Sequence, residues 1–295
     1  MPHRHDLPAP HWIVLDDARI ATYVLEPRDR RPVGDVVLCH GTPWSAAVWA
    51  QVAHHLAADH RVLLYDMPGY GASIGPDPAD VDLPTQSRRL AALLAHWGTE
   101  APHVIAHDIG GAVALGAHLV EGARMASLYL LDIVTLDPWG SPFFRLVAQH
   151  EEAFAALPGN LHAALVREYI AGAAHGTLAA DLVAALARPW CTEDGQPAFY
   201  RQIAQLSPEH TRPIAEALGT VSCPVRVAWG EADPWIPSTQ AAELAARLPG
   251  DVDAVLFPGA GHLVPLEAGD HLAADIAAWV GAHGSPGSVG PHTAG

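Results

Sequence analysis

The segment around Asp108 combines a carboxylate with a local pattern that suits a nucleophile. A short apolar run ending at His107 leads into Asp108, and Gly110 and Gly111 follow before a helical pattern begins. Small neighbours allow a sharp strand-to-helix turn that exposes the side chain at its tip. A carboxylate there can attack a saturated carbon and form an alkyl ester, which is hydrolysed in a second step. The alternative is a simple helix cap, since Asp is favoured at helix N-termini.

Three other segments carry polar residues that suit the same chemistry. The segment 40–43 reads His-Gly-Thr-Pro, Asp233 lies in a Trp-Gly-Glu-Ala-Asp-Pro segment, and His262 follows a Gly-Ala-Gly step. A histidine can activate water as a general base, and an acid can orient that histidine. The alternatives are a turn for Asp233 and an incidental loop residue for His262, since Asp and Pro favour turns. Asp132, which follows another apolar run, is a rival for the orienting acid, and Asp233 is preferred.

The order of predicted elements indicates where these segments would meet. The start is typical of a β-hairpin, with strands over 12–15 and 20–25. Short apolar runs then alternate with helical patterns, and the runs cover 36–39, 62–65, 104–105, 128–131, 225–229 and 255–257. This alternation predicts an α/β fold, with a parallel sheet and helices on both faces. The polar segments follow predicted strands, and open α/β sheets bind ligands at the carboxyl ends of their strands.

The alternation stops between about residues 137 and 213, where helical periodicity continues without a convincing strand. We expect this segment to form a helical lid over the strand ends. The predicted organisation is a core of residues 10–136 and 214–282, a lid of residues 137–213, and flexible tails of residues 1–9 and 283–295. A length of 295 residues suits one domain with a sizeable insertion.

Composition restricts the setting and the partners. Half of the residues are apolar and 16% are charged, which is typical of a globular enzyme and excludes a disordered chain. A net charge of −16 would repel nucleic acid and anionic membranes. The N-terminus lacks a signal-peptide pattern, and the three cysteines match no metal motif. We therefore expect a cytoplasmic protein with no metal, no cofactor, no nucleic-acid partner and no membrane partner, and a homodimer stays open.

With nucleophile, acid and histidine in this order at strand ends, the chain resembles the α/β-hydrolase superfamily. Within it, the chain resembles the branch with an aspartate nucleophile, which includes epoxide hydrolases and haloalkane dehalogenases. The resemblance covers about residues 10–282 and implies the α/β-hydrolase fold, with a mostly parallel eight-stranded sheet. It implies Asp108 as the nucleophile, His262 as the base for the hydrolytic water and Asp233 as the acid. It also implies two backbone N–H donors for an oxyanion, at Thr42 and Ile109.

The same resemblance bears on the leaving group. A halide is typically held by a Trp after the nucleophile and an Asn after the His-Gly pair, and this chain has Ile109 and Thr42 there. An Arg after the nucleophile, which would suggest haloacid chemistry, is also absent. Epoxide hydrolases supply a proton from lid tyrosines, and the predicted lid contains Tyr169 and Tyr200. Packing of the lid against the core is the alternative role for both tyrosines.

The expected activity is hydrolysis of an epoxide to a vicinal diol. The alternatives are carbon–halogen hydrolysis of the haloalkane dehalogenase type, a non-hydrolytic reaction in natural-product biosynthesis, and a binding protein without turnover. A complete set of Asp108, Asp233 and His262 argues against the last. A lid rich in Ala and Leu predicts a small apolar or aromatic substrate, which reacts with water. The residues expected to contact this substrate are His40, Trp44, His107 and Trp190.

Overall fold

A mostly parallel sheet of eight strands forms the centre of the molecule. The computed structural model describes residues 6–15, 18–76 and 79–284. The strands are His11–Leu15 (β1), Ala18–Leu25 (β2), Asp35–Cys39 (β3), Arg61–Tyr65 (β4), His103–His107 (β5), Ser127–Leu131 (β6), Val225–Gly230 (β7) and Ala254–Phe257 (β8). Their order is β1-β2-β4-β3-β5-β6-β7-β8. Only the β1–β2 and β2–β4 pairs are antiparallel, which confirms the predicted mostly parallel sheet.

Eleven α-helices lie in the described ranges, and none of these is long and apolar enough to cross a membrane. They are Ala50–Leu56 (α1), Leu83–His96 (α2), Ile109–Leu119 (α3), Pro142–Ala155 (α4), Gly159–Ala171 (α5), Ala180–Ala187 (α6), Gly195–Ala204 (α7), Pro208–Ala217 (α8), Thr239–Arg247 (α9), Val264–Glu267 (α10) and Gly269–Ala282 (α11). Short 3₁₀ helices cover Ala46–Trp49, Gly71–Ser73, Arg188–Cys191 and Leu218–Thr220.

The burial of each strand follows from its composition. Every residue of β5 and β6 is buried, and both strands are nearly continuous apolar runs. Such runs need a cover on both faces of the sheet, which parallel α/β folds provide with helices. β1 differs, because its residues are mostly exposed and Val14 is 70% exposed. An edge position therefore suits β1, and central positions suit β5 and β6.

The helices pack in two groups around this sheet. α1 packs against α11, whereas α2 packs against α3 and α8. The chain runs from β3 to β4 in one direction across the sheet, and from β5 to β6 in the other. Because crossover connections are right-handed, this reversal puts α1 and α3 on opposite faces. The ends of β3 and β5 thus flank a crevice at the switch point, where open α/β sheets bind ligands.

The chain between β6 and β7 forms five helices, α4 to α8, where the sequence predicts helices without strands. α4 packs against α7, and α5 packs against α6. α8 packs instead against α2 and α3, and it continues to Ala217, past the predicted boundary at residue 213. The predicted flexible tails fall mostly outside the described residues, although Leu7 packs against the core.

Candidate active site

Asp108 lies at the tip of a strained turn between β5 and α3. Its backbone angles are φ 55° and ψ −128°, a conformation that non-glycine residues rarely adopt and that costs about 1–3 kcal/mol. The turn is held on both sides, since the Asp108 N–H donates to the Leu131 carbonyl at 3.2 Å. The Asp108 carbonyl accepts from Gly111 at 3.0 Å and from Val134 at 3.1 Å. The side chain makes no capping hydrogen bond to α3, so the helix-cap alternative does not describe it.

Two glycines allow the loop after β3 to approach this turn. A Cβ atom at Gly110 would lie 2.4 Å from the carbonyl oxygen of His40. A Cβ atom at Gly41 would lie 2.3 Å from Cβ of Asp108 and 2.5 Å from its Oδ1. Either contact is far shorter than van der Waals separation. The glycines on both segments therefore allow the His-Gly-Thr loop to lie against the carboxylate of Asp108.

The two carboxylate oxygens of Asp108 have different partners. Oδ1 accepts a hydrogen bond from the backbone N–H of Thr42 at 2.7 Å. Oδ2 lies 3.3 Å from Nε2 of His262. Thr42 N–H, predicted as an oxyanion donor, thus already points at the carboxylate, and Ile109 begins α3 beside the cavity. This arrangement fixes one oxygen and leaves the other facing the histidine and the cavity.

His262 is held by a second carboxylate on its other side. Nδ1 of His262 lies 2.8 Å from Oδ2 of Asp233, and Oδ1 of Asp233 accepts from the N–H groups of Trp235 at 2.7 Å and Ile236 at 3.0 Å. Burial opposes the charged imidazolium, but the carboxylates of Asp233 and Asp108 outweigh it and raise the pKa of His262 well above its ordinary value. Burial likewise opposes ionisation of Asp233, yet the His262 charge and the hydrogen bonds lower its pKa.

Asp132 lies in the same cluster as these two residues. It follows β6, is fully buried, and has a positive φ of 48°. Its Oδ1 accepts from the Gly230 N–H at 2.7 Å. Polar atoms of Asp132, Asp233 and His262 lie within 4.8 Å of one another, a donor set that a metal ion could also use. Burial, followed by the Asp233 charge, raises the pKa of Asp132 well above its ordinary value, which favours the neutral carboxyl.

A cavity of about 410 Å³ opens beside Asp108. This volume suits a small organic molecule. Among the described residues that line it, Asp108 carries the only charge. Aromatic and aliphatic side chains form most of the remaining wall: Ile109, Val134, Pro138, Trp139, Pro142, Phe144, Tyr169, Pro234, Trp235 and Ile236.

The structure separates the two tyrosines that the sequence suggested as proton donors. Tyr169, on α5, lines the cavity and stacks on Trp235 with ring centroids 4.7 Å apart. Burial and the Asp108 charge raise the pKa of Tyr169 well above its usual value. Tyr200, on α7, does not line the cavity, and its hydroxyl lies 2.8 Å from Nδ1 of His162. The structure thus places Tyr200 outside this cavity, packed among other helices of the segment, and does not bring it to Asp108 as the catalytic role would require.

The two histidines expected to contact substrate lie beneath the cavity instead. Nδ1 of His40 is hydrogen bonded to the Gly41 carbonyl at 2.8 Å, and its Nε2 accepts from the Met67 N–H at 2.9 Å. Nε2 of His107 is 2.8 Å from the carbonyl oxygen of His262. Burial lowers the pKa of His107 to about 4, with the His262 charge as the next cause. Both histidines are thus neutral and hold the loops around Asp108 and His262 through hydrogen bonds to backbone groups.

The two tryptophans expected to contact substrate line a different cavity. Trp44 and Trp190 line a space of about 630 Å³ between α6 and the loop after β3. The Trp190 indole N–H donates to the Pro43 carbonyl at 2.8 Å, which fastens the helical segment to that loop. Trp44 stacks on Trp235 with centroids 5.8 Å apart and an angle of 12°. Trp44 therefore reaches the catalytic cavity only through Trp235.

Gln202 is a residue of the site that the sequence analysis did not identify. Oε1 of Gln202 accepts from the Thr42 hydroxyl at 2.6 Å and from the Tyr70 hydroxyl at 3.0 Å. Nothing in the sequence around Gln202 indicates these two hydrogen bonds, because Gln202 lies on α7, far along the chain from Thr42 and Tyr70. Trp235, two residues after Asp233, also lines the cavity, and its ring lies 5.0 Å from that of His262.

Comparison with known proteins agrees with the fold. A family model described as "Alpha/beta hydrolase family" matches residues 36–276. The crystal structure of an alpha/beta hydrolase fold protein from Burkholderia ambifaria is 40% identical, with a TM-score of 0.86, over 92% of this chain and 99% of that one. A pimeloyl-[acyl-carrier protein] methyl ester esterase of Aeromonas salmonicida (strain A449) is 27% identical over 75% of this chain and 86% of its own.

The structure of the epoxide hydrolase CorEH is similar in fold alone. It is 19% identical, with a TM-score of 0.76, over 92% of this chain and 98% of that one. The match to the family model spans most of the chain and includes Asp108, Asp233 and His262. The chain therefore belongs to the alpha/beta hydrolase family and is a hydrolase of that family.

Proposed function

We propose that this hydrolase uses Asp108 as its nucleophile and converts epoxides with apolar or aromatic substituents to vicinal diols. The observation that carries the proposal is one cavity in which a carboxylate, rather than a hydroxyl, occupies the nucleophile turn and faces His262. Tyr169 lines the same cavity, and it is the only described lining residue with a phenolic hydroxyl group. We further propose that residues 137–213 act as the lid, since Tyr169, Trp139 and Phe144 all come from this segment.

The first step forms an ester on Asp108. Oδ2 of Asp108 attacks an oxirane carbon, while Thr42 N–H keeps Oδ1 in place. The C–O bond of the ring breaks as the new O–C bond forms, and the departing oxygen takes the proton of Tyr169. Burial makes Tyr169 a weak acid, yet an alkoxide is a stronger base than a phenolate, so the transfer runs towards the alkoxide.

The second step hydrolyses that ester. Esterification removes the charge of Asp108, which is one of the two carboxylates that raise the pKa of His262. His262 then gives its proton to the Tyr169 phenolate and becomes neutral. Neutral His262 takes a proton from water as the water attacks the ester carbonyl, and the N–H groups of Thr42 and Ile109 stabilise the oxyanion. Collapse breaks the ester C–O bond, and the departing diol oxygen takes the proton of the new carboxyl group. This restores the Asp108 carboxylate and the protonated His262, with one water consumed.

The cavity is a poor match for the two halogenated substrate classes. A haloacid carries a carboxylate, and none of the described lining residues is a cation that could pair with it. A halide leaving group needs strong N–H donors, and the positions after the nucleophile and after the His-Gly pair are Ile109 and Thr42. We therefore expect haloalkanes to be hydrolysed more slowly than epoxides by the parent protein.

Trapping of the ester tests the nucleophile. We expect His262→Gln to be alkylated by an aryl epoxide such as styrene oxide but not to release diol, because its base is missing. Mass spectrometry should find the added mass of one epoxide on the peptide that carries Asp108. Asp108→Asn is the matched control and should remain unmodified. An adduct on another residue, or diol formation at the parental rate by Asp108→Asn, would contradict the proposal.

The two tyrosines provide an internal comparison for the leaving group. Tyr169→Phe should slow epoxide opening by roughly 10²–10⁴-fold, the usual range for general-acid assistance. Tyr200→Phe is the matched control, because it removes a hydroxyl bonded to His162 outside the cavity. The assay is single-turnover ester formation on a His262→Gln background. Equal effects of the two changes, or faster haloalkane than epoxide turnover by the parent, would favour the carbon–halogen reaction instead.

A further inference from the structure

Asp132 is an unusual group to find buried beside a catalytic histidine. Its side chain is 0% exposed, and only one of its carboxyl oxygens, Oδ1, has a hydrogen-bond partner among the described residues. Oδ2 has none, although nearly all buried polar atoms in proteins are paired. The positive φ of 48° adds backbone strain at the same residue. A buried, strained and half-paired carboxyl is costly, which calls for a functional explanation.

The position of Asp132 relates it to His262. Asp132 follows β6, which lies between β5, where Asp108 follows, and β7, which leads to Asp233. A polar atom of Asp132 lies within 4.8 Å of both the His262 ring nitrogen and an Asp233 carboxyl oxygen. Besides Asp108, His262 thus has two acids near it, Asp132 after β6 and Asp233 after β7, and of these two only Asp233 is hydrogen bonded to it.

We propose that Asp132 and Asp233 act as a pair of which one member is protonated while the other is charged. Whichever member is charged can orient His262 as its acid. This inference rests on the proposed role of His262 as general base. In the parent protein Asp233 carries the charge and Asp132 carries the proton. When Asp233 cannot be charged, Asp132 ionises and its unpaired Oδ2 accepts the His262 Nδ1–H. Asp132 is therefore a positioning residue that acts through His262.

The charges around Asp132 support this exchange. Burial is the largest cause that keeps Asp132 neutral, and the charges of Asp233 and Asp108 act in the same direction. The His262 charge and the Gly230 N–H favour the carboxylate. Removal of the Asp233 charge takes away one of the opposing causes. The Gly230 N–H remains, and the Asp108 carboxylate still favours a charged His262. The other titratable group beside His262 is His107, which is neutral and whose ring lies 4.8 Å from that of His262.

Three variants test the pair. Asp132→Asn keeps the hydrogen bond from Gly230 and a residue type that tolerates positive φ. Asp233→Ser removes the carboxylate but keeps a hydroxyl that can accept from the N–H groups of Trp235 and Ile236, as Ser does in turns. The third variant combines both changes. Circular dichroism checks each fold, and Asp233→Ala, alone and combined with Asp132→Asn, replaces the Ser variants if these do not fold.

The readouts are the pKa of His262 by NMR of labelled histidine and the rate of ester hydrolysis against pH. The His262 signal is assigned by its loss in His262→Gln. We expect the His262 pKa to be higher in Asp233→Ser than in the double variant. Ester hydrolysis should be at least about tenfold faster in Asp233→Ser than in the double variant, a coupling typical of residues in one network. Asp132→Asn alone should slow hydrolysis less than Asp233→Ser does.

Equal His262 pKa values and equal rates in Asp233→Ser and the double variant would overturn the inference. The NMR measurement needs no substrate, so it separates this inference from the proposed function. If no epoxide is hydrolysed while the order of pKa values holds, the proposed function fails and the acid pair stands. If epoxides are hydrolysed but the order does not hold, the acid pair fails and the proposed function stands.

Discussion

At the scale of single residues, His262 has to change its affinity for a proton during the proposed reaction. In the free protein it faces Asp108 at 3.3 Å and Asp233 at 2.8 Å, which favours the imidazolium. A general base must instead be neutral when water attacks. The charge of Asp108 disappears when the ester forms, so the nucleophile itself can control the protonation of the base. This coupling needs no movement of either side chain.

The corresponding prediction is that Asp108→Asn lowers the pKa of His262. The amide keeps the size of the side chain and removes one of the charges that raise this pKa, as ester formation would. NMR titration of labelled histidine measures the change directly. Glu243→Gln, which removes an exposed carboxylate paired with Arg247, is the control and should leave the pKa of His262 where it is. An unchanged value in Asp108→Asn would mean that Asp108 does not govern the base.

At the scale of elements, the site depends on how closely the loop after β3 approaches the turn before α3. Gly41 provides this approach, because a Cβ there would overlap Asp108. We predict that Gly41→Ala pushes the carboxylate out of place and lowers turnover by about 10²-fold, the usual consequence of a displacement near 1 Å. Overpacking of this kind also destabilises a fold by about 1–3 kcal/mol.

Turnover and thermal unfolding measure the two effects of Gly41→Ala. Gly281→Ala, in α11, is the matched control, because a Cβ there meets no atom within 4 Å. That change should preserve turnover and leave stability equal or slightly higher, since Ala is the better helix former. Parental turnover in Gly41→Ala would show that the carboxylate does not depend on this contact.

The elements also explain which parts of the site the sequence could reveal. Apolar runs followed by small and polar residues are local patterns, so they located Asp108, Asp233 and His262 at strand ends. The direction of a side chain is not local. His40 directly follows β3 and His107 is the last residue of β5. Their rings do not face the cavity but are hydrogen bonded to backbone groups of Met67 and His262. For Tyr200, the sequence predicted a helix but could not show which face of that helix would line the cavity.

The boundary of the helical segment was also beyond what local sequence patterns can predict. Helical periodicity predicted helices across residues 137–213, but it could not give their bounds or tell which of them pack on the core. α8 packs against α2 and α3, and this choice depends on contacts between distant parts of the chain. Gln202, which clamps Thr42 from α7, depends on a similar contact over 160 positions of sequence. Patterns within a window of residues contain no information of this kind.

At the scale of the whole molecule, buried histidines link folding to pH. The chain has 19 histidines, and the sequence does not distinguish the buried ones from the exposed ones. His103, at the start of β5, is buried against Ser127 at 2.8 Å. Burial, followed by the charges of His60 and His283, lowers the pKa of His103 to about 4. His107, at the end of the same strand, also has a pKa of about 4.

We therefore predict that His103 and His107 contribute a loss of stability as the pH falls from about 6.5, the value for an unfolded histidine, towards 4. In this range the unfolded chain binds protons at His103 and His107 that the folded chain does not bind. Above it both states are neutral at these positions, so they add no pH dependence. His103→Gln should make the unfolding temperature fall less steeply between these pH values. His55→Gln, at an exposed histidine, should keep the parental slope, and an equal slope in His103→Gln would refute the assignment.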